Sequence, residues 1–431
     1  MNRHEFYRPL VERTLVNYQV QYLARRYDFG KESLVARLLV EEINRRMEET
    51  ESILGIERVK PFELYVQKAQ NHARLPLFCP HYLEPILGGG DFSMARKLIL
   101  ERCLQSYLLG YPRGSQVDLV RIIDPWSLVR KKGPSRYIDQ LCQATMPYSK
   151  TDAVSWDRMI DQINPRLPTD RLQAPDLLAP GRVLKELAEF VASEAGLGRV
   201  VARQLVEEVI ALRNICCPRT KELKPYEMPL IVTHVSARLS EDVSTRFRQL
   251  TPVIITVWKP EELDRQPDTV PAFLAQLKRR IVRVCFEAYR QNGLLTLMEL
   301  QWIFQISAAR ISELIRSVQR EHNLVVPTPG TILDAGRSMT HKDVIVSLHL
   351  QGYTVKDIAR MTHHSPRAVD NYIGTFESVL ILYLFGVPPE LMASLLKRGI
   401  SLINKHLKLV RERYRDHQEI KEYLASKGVK I

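Results

Sequence analysis

The chain has 431 residues, long enough for two or three domains with their own cores. Hydrophobic residues make up 45% and charged residues 26%, a globular mix that excludes a wholly disordered chain. Lys and Arg number 62 against 49 Asp and Glu, and the resulting +13 suits a polyanionic partner such as nucleic acid.

An acidic membrane surface would call for a basic amphipathic helix or a polybasic cluster, and the sequence shows neither. No stretch reaches about 18 apolar residues, so no span is expected. The N-terminal MNRHEFYRPLVERTL has no apolar core, so no secretory signal is expected. Six cysteines, none in a CxxC pair, predict reduced, mostly buried thiols and a cytoplasmic protein.

In chain order, the first strong element is a helix over 34–47, with apolar residues at helical spacing. Lys60-Pro61 then breaks it ahead of an extended segment. His72, Cys79 and His81 have no standard metal-ligand spacing and no evident fourth ligand, so they read as structural and no metal or cofactor is expected. Gly88-Gly89-Gly90 lacks the Lys and Ser or Thr of a phosphate-binding loop.

The same signals then recur. Val35-Ala36-Arg37 with Leu39-Val40-Glu41-Glu42 returns 166 residues on, as Val201-Ala202-Arg203 with Leu205-Val206-Glu207-Glu208. Lys60-Pro61-Phe62-Glu63 returns as Lys224-Pro225-Tyr226-Glu227. Cys103, Tyr107 and Gly110 return as Cys285, Tyr289 and Gly293, and Ser115-x-x-Asp118 as Thr296-x-x-Glu299. Blocks repeating in one order indicate a duplication. The expected organisation is a first copy over 1–147, a Pro-rich linker over 148–181, and a second copy over 182–335. Strands are expected over 229–235 and 252–258, so the class is mainly α with a small sheet, an α+β fold. The glutamate pairs 41–42 and 207–208 read as solvated helix faces rather than acid–base pairs, and no catalytic constellation stands out.

Over 336–415 two tandem helix-turn-helix units are expected, followed by a helical tail over 416–431. His341–Leu350 forms a first helix, ended by Gly352. Thr354-x-x-Asp357 caps a second, and Ser365-Pro366 starts a third, with Val369 and Ile373 facing inward. The frame recurs 34 residues later, Gly352 mapping to Gly386, Ala359 to Ala393, Val369 to Ile403 and Ile373 to Leu407. It also recurs upstream, where Thr296, Ser307 and Ile311 hold the equivalent places, and Asn323 to Gly330 reads as the wing of a winged unit. The early part of a third helix faces base edges in such units. That frame nominates Arg367, Asp370 and Asn371 for base contact, with Thr354 and Ser365 on phosphates. It nominates Ser401, Asn404 and Lys405 in the last unit, and Ala309, Ser312 and Glu313 in the upstream one, with Arg310 and Arg316 beside them. His364, Arg367 and the later Tyr372 or Tyr383 echo tyrosine recombinases, but here they belong to a turn and a third helix.

The stretch from about Met228 to Tyr414 resembles the uncharacterised prokaryotic family known as domain of unknown function sixteen-seventy. The carrying residues are Gly293-Leu294-Leu295-Thr296, Pro327-Thr328-Pro329-Gly330, Met339-Thr340-His341-Lys342, His364 through Ile373, and Gly386 through Leu396. The resemblance implies helix-turn-helix content and a prokaryotic origin; it implies no activity. The extra N-terminal copy departs from the family's usual length. The expectation is sequence-specific binding of double-stranded DNA for transcriptional regulation, with homodimerisation left open. A mobile-element accessory protein, an enzyme acting on nucleic acid and an interaction scaffold are the alternatives.

Overall fold

The computed structural model describes residues 7, 10–27, 34–68, 71–87, 92–110, 122, 181–237, 249–264, 267, 269–322, 324–333, 340–362 and 364–429. The expected linker, apart from Gly181, and the first copy's segment after Gly110, apart from Ile122, lie outside them. Among the described residues the chain is mainly helical with two small sheets. It divides into two compact units, Met1–Ile315 with Val326–Pro329, and Arg316–Val325 with Gly330–Ile431. The described residues of the first copy and those of the second copy as far as Ile315 lie in the first unit.

In that unit α1 (Leu15–Arg26) and α2 (Leu34–Ile53) lead to a hairpin of β1 (Glu63–Lys68) and β2 (Asn71–Pro76), followed by α3 (Phe92–Gly110). Next come α4 (Gly181–Ala195), α5 (Arg199–Cys216), β3 (Glu227–His234), β4 (Leu250–Thr256) and α6 (Val270–Arg290). The short β5 (Gly293–Leu294) completes an antiparallel sheet in the order β4-β3-β5, and α7 (Leu297–Phe304) follows. The chain passes into the second unit within α8 (Ala308–His322).

The repeated sequence folds into repeated structure. Ala36, Leu39, Val40 and Ile43 of α2 are buried, as are Ala202, Leu205, Val206 and Val209 at the matching positions of α5. That spacing puts each set on one helix face, and the two faces share a core with Leu184, Leu187 and Val191 of α4. Cys103 of α3 and Cys285 of α6 are likewise both fully buried.

The two Lys-Pro turns are near-identical and meet each other. Phe62 and Tyr226 both have φ +66°, a left-handed backbone that costs a residue with a side chain energy unless its surroundings hold it. Here the following glutamate holds it: Glu63 accepts from the Lys60 N–H and Glu227 from the Lys224 N–H, both at 2.8 Å. Across the junction the Phe62 N–H donates to the Pro229 carbonyl (3.0 Å), and the Tyr226 N–H donates to the Tyr65 carbonyl (2.7 Å). A bridge between Arg58 and Arg219 repeats the reciprocity, with Val59 donating to Pro218 and Thr220 to Glu57. Each copy thus does to its sister what the sister does to it, the pattern of a two-fold pair within one chain.

Buried ions tie the unit further. Glu51 of α2 accepts from Arg58 Nε (2.6 Å) and from Arg213 Nη2 of α5 (2.7 Å). Arg13 pairs with the fully buried Glu299 and donates to Thr233 Oγ1. Trp302 of α7, also fully buried, meets the rings of Phe78 and Phe92, each at 5.1 Å.

The wing expected over 323–330 is not a β-ribbon among the described residues. Leu324–Thr328 pairs with no strand, and Pro329–Ile332 is a helical turn. Pro327 and Pro329 lack the N–H donors a ladder needs. The β-branched residues that suggested a strand, Val325 and Val326, are buried instead.

Gly293 sits where a side chain has no room: a Cβ there would lie 2.6 Å from both Val232 Cγ2 and Val253 Cγ1 and 3.2 Å from the Ala288 carbonyl. Gly293→Ala is therefore expected to destabilise the first unit by about 1–3 kcal/mol through overpacking. Urea unfolding should show a lower midpoint for the transition that carries Trp302 fluorescence; an unchanged midpoint would contradict this packing.

Candidate nucleic-acid interface

The second unit is built from α9 (Thr340–Leu350), α10 (Val355–Thr362), α11 (Pro366–Leu384), α12 (Pro389–Leu395), α13 (Ile400–Arg413) and α14 (His417–Ser426). Each boundary has a local cause. Gly352, at φ +92°, closes α9. The Asp357 N–H donates to Thr354 Oγ1 (3.2 Å), and that hydroxyl donates to Asp357 Oδ2 (2.7 Å), so Thr354 caps α10. Ser365 is the N-cap of α11: its Oγ accepts from the Ala368 N–H, with Pro366 in the first turn. Between α10 and α11 the His364 N–H donates to the Ala359 carbonyl, and His364 Nδ1 donates to the Thr362 carbonyl at 2.6 Å.

These three helices close on Val344, Ile345, Leu348, Ile358, Ala359, Val369 and Ile373, with Val325 beside them. Burying Val369 and Ile373 turns the opposite side of α11 outward, and Arg367, Asp370 and Asn371 are exposed there. The end of α11 repeats the scheme with α12 and α13. Gly386 is left-handed like Gly352, and Ile403 and Leu407 of α13 are buried with Val379 and Met392. Asn404 is exposed and Lys405 half-buried; of Ser401 only the backbone is described. A third cluster, Val346, Phe376, Leu380, Val410, Ile420 and Leu424, joins the two repeats and α14.

Between α11 and α13 lies a cavity of about 300 Å³, lined by Ala368, Asn371, Tyr372, Thr375, Arg398, Leu402 and His406. It brings Asn371 of one repeat together with Arg398 at the start of the other. Arg398 is exposed and directly precedes Gly399, the N-cap of α13. The sequence frame missed it because in the last unit it took only residues inside the third helix.

The upstream residues fare differently. Thr296 and Glu299 form a reciprocal capping box at the start of α7, and Ser307 Oγ accepts from the Arg310 N–H at the start of α8. However, every residue from Met298 to Phe304 is buried. On α8, Arg310 is held by Glu313 at 2.6 Å, Ser312 is half-buried, and Arg316 is exposed.

The residues of other chemistries are engaged locally. His72 meets Glu57 (2.6 Å) and His81 meets Glu84 (3.0 Å). Glu41 and Glu207 form i,i+4 ion pairs with Arg37 and Arg203, and Glu208 pairs with Arg26. Hydrogen bonds from Arg45 and Arg46 hold the Glu42 carboxyl down at about 2. Burial pushes the Cys217 thiol up to about 12, which disfavours a nucleophilic thiolate. Among the described residues no helix is long and apolar enough to cross a membrane.

Comparison with known proteins gives one match. A family model described as a protein of unknown function, DUF1670, covers residues 193–409, just over half of the chain. No curated protein and no solved structure was found to match.

Capping and exposure separate two kinds of residue here. Ser365→Ala should cost about 1 kcal/mol of stability, the usual loss for an N-cap. Arg367→Ala and Asn371→Ala, exposed on α11, should each stay within about 0.5 kcal/mol of the parent. Thermal unfolding of the three variants checks the contrast; a large loss on Arg367→Ala would mean that it holds the fold.

Proposed function

This chain belongs to the DUF1670 family of proteins of unknown function, and because that membership brings no activity with it, we propose from the geometry that the chain binds double-stranded DNA sequence-specifically through its C-terminal helices. The reading carries α9–α11 and α11–α13 as two helix-turn-helix units, with transcriptional regulation as their use.

One observation carries it. α11 buries Val369 and Ile373 and turns Arg367, Asp370 and Asn371 to solvent at its N-terminal end. A helix presented by its first two turns can enter a major groove, with a shorter helix packed behind it. Arg can grip guanine O6 and N7, and Asn can grip adenine N6 and N7, each pair discriminating by about 1–3 kcal/mol. Exposed cations lie on or next to the neighbouring helices. Lys356 and Arg360 on α10, Arg398, and Lys408 and Arg411 on α13 are all exposed, and the chain as a whole carries +13. Asp370 repels phosphate, and an acidic group in a groove reads cytosine N4 instead. The upstream unit is assigned no base contact, because Arg310 is paired with Glu313.

Selection of bound duplexes from a randomised library should return a defined motif, and Arg367→Ala with Asn371→Ala should relax it at one or two positions. Loss of all preference with unchanged affinity in the parent chain would leave only phosphate attraction. Arg398→Ala is expected to behave differently, weakening all duplexes alike and lowering the salt slope by about 1. Anisotropy titrations across a salt series read that slope; a motif change on Arg398→Ala would move it from phosphate to base contact.

A further inference from the structure

A second cavity of about 300 Å³ lies in the first unit, where the two copies meet. Its walls are chiefly apolar, from Leu10, Leu15, Val16, Phe62 and Phe78. Lys60 and Pro80 are exposed and mark its mouth. Set into these walls are four cations, Arg13, Arg58, Lys60 and Arg213. An apolar cavity with a few charged groups is the ordinary form of a small-molecule site.

Each cation has a carboxylate within reach. Arg13 pairs with Glu299, Arg58 and Arg213 share Glu51, and Lys60 meets Glu48 at 3.1 Å. Arg213 Nη1 reaches only to 3.7 Å from that same Glu48. Glu48 itself lines the cavity, and Glu63 is a fourth carboxylate within reach of Lys60 and Cys217. Each nitrogen of Arg58 donates, Nε to Glu51, Nη1 to the Cys217 carbonyl and Nη2 to Asn214. Arg213 differs: it is 3% exposed, and its buried Nε has no hydrogen-bond partner. A buried donor left without an acceptor costs stability, so such a group points to a missing partner.

The duplication supplies an internal control. The position of α2 that matches Arg213 of α5 holds Met47, buried to the same 3%. The helix accepts an apolar side chain at this register in the sister copy, where Cys217 stands in place of Glu51, so Arg213 comes with a buried carboxylate of its own.

We propose that this cavity binds a small organic monoanion, a carboxylate with an apolar body, whose head takes the spare donors of Arg213 beside Lys60 while its body lies against Leu15, Val16 and Phe62. The assignment is independent of the DNA reading. It concerns the first unit alone.

Octanoate, octanol and acetate serve as probes on the full chain, by calorimetric titration. Octanoate should bind saturably, with octanol and acetate each at least tenfold weaker, since one lacks the charge and the other the body. Arg213→Met, which installs the residue of the sister copy, should weaken octanoate at least tenfold and leave octanol unchanged. Val16→Phe keeps every charge but fills the cavity, and should abolish octanoate binding while circular dichroism shows the parent fold. Octanol binding as tightly as octanoate, acetate binding as tightly, or octanoate binding that survives Val16→Phe would each overturn the proposal.

Discussion

The first unit depends on the reciprocal meeting of its two Lys-Pro turns. Phe62 and Tyr226 each adopt a left-handed backbone that only a surrounding structure can hold. Glu63 and Glu227 hold it locally, and each turn gives its next N–H to a carbonyl of the other copy. Neither half can satisfy these groups alone, and an unpaired buried donor costs about 1–3 kcal/mol. The rest follows from this pairing. It brings β1 beside β3, sets α2 and α5 into one core, and places Arg58 and Arg213 on either side of Glu51. The cavity walled by Lys60, Phe62 and Arg213 is a product of the same junction.

The two copies have diverged within that frame. Ala36 and Ala202, or Cys103 and Cys285, keep the same chemistry because both are packed cores. Met47 and Arg213 do not, and their difference falls at the cavity. The second unit is built on another repeat, the left-handed Gly352 and Gly386 each closing a helix before the next begins. What it presents outward, Arg367, Asn371 and Arg398, is what neither core needed.

Local signals in the sequence were strong enough to place most helices. The Thr354 and Ser365 caps, Gly352 and the inward Val369 and Ile373 lie where the spacing put them, because capping and helical periodicity are decided within a few residues. The β3 and β4 runs were legible from their β-branched residues. Three things were not. The Val325-Val326 run looked like a strand, but burial rather than pairing explains its composition. Aromatic residues at positive φ are rare enough that Lys-Pro-Phe-Glu could be seen as a repeat but not as a left-handed turn. The Arg13–Glu299 and Arg213–Glu51 pairs, and the approach of Arg398 to Asn371, join residues far apart in the chain, beyond the reach of any local pattern.

In the proposed function, the outward face of α11 and the start of α13 meet DNA. Amide hydrogen exchange of the full chain, with and without a saturating duplex, tests it most directly. The account predicts slowed exchange over residues 354–375 and 398–408, with the first unit unchanged. Protection confined to the first unit, or none in the C-terminal helices at concentrations where the duplex is bound, would contradict it.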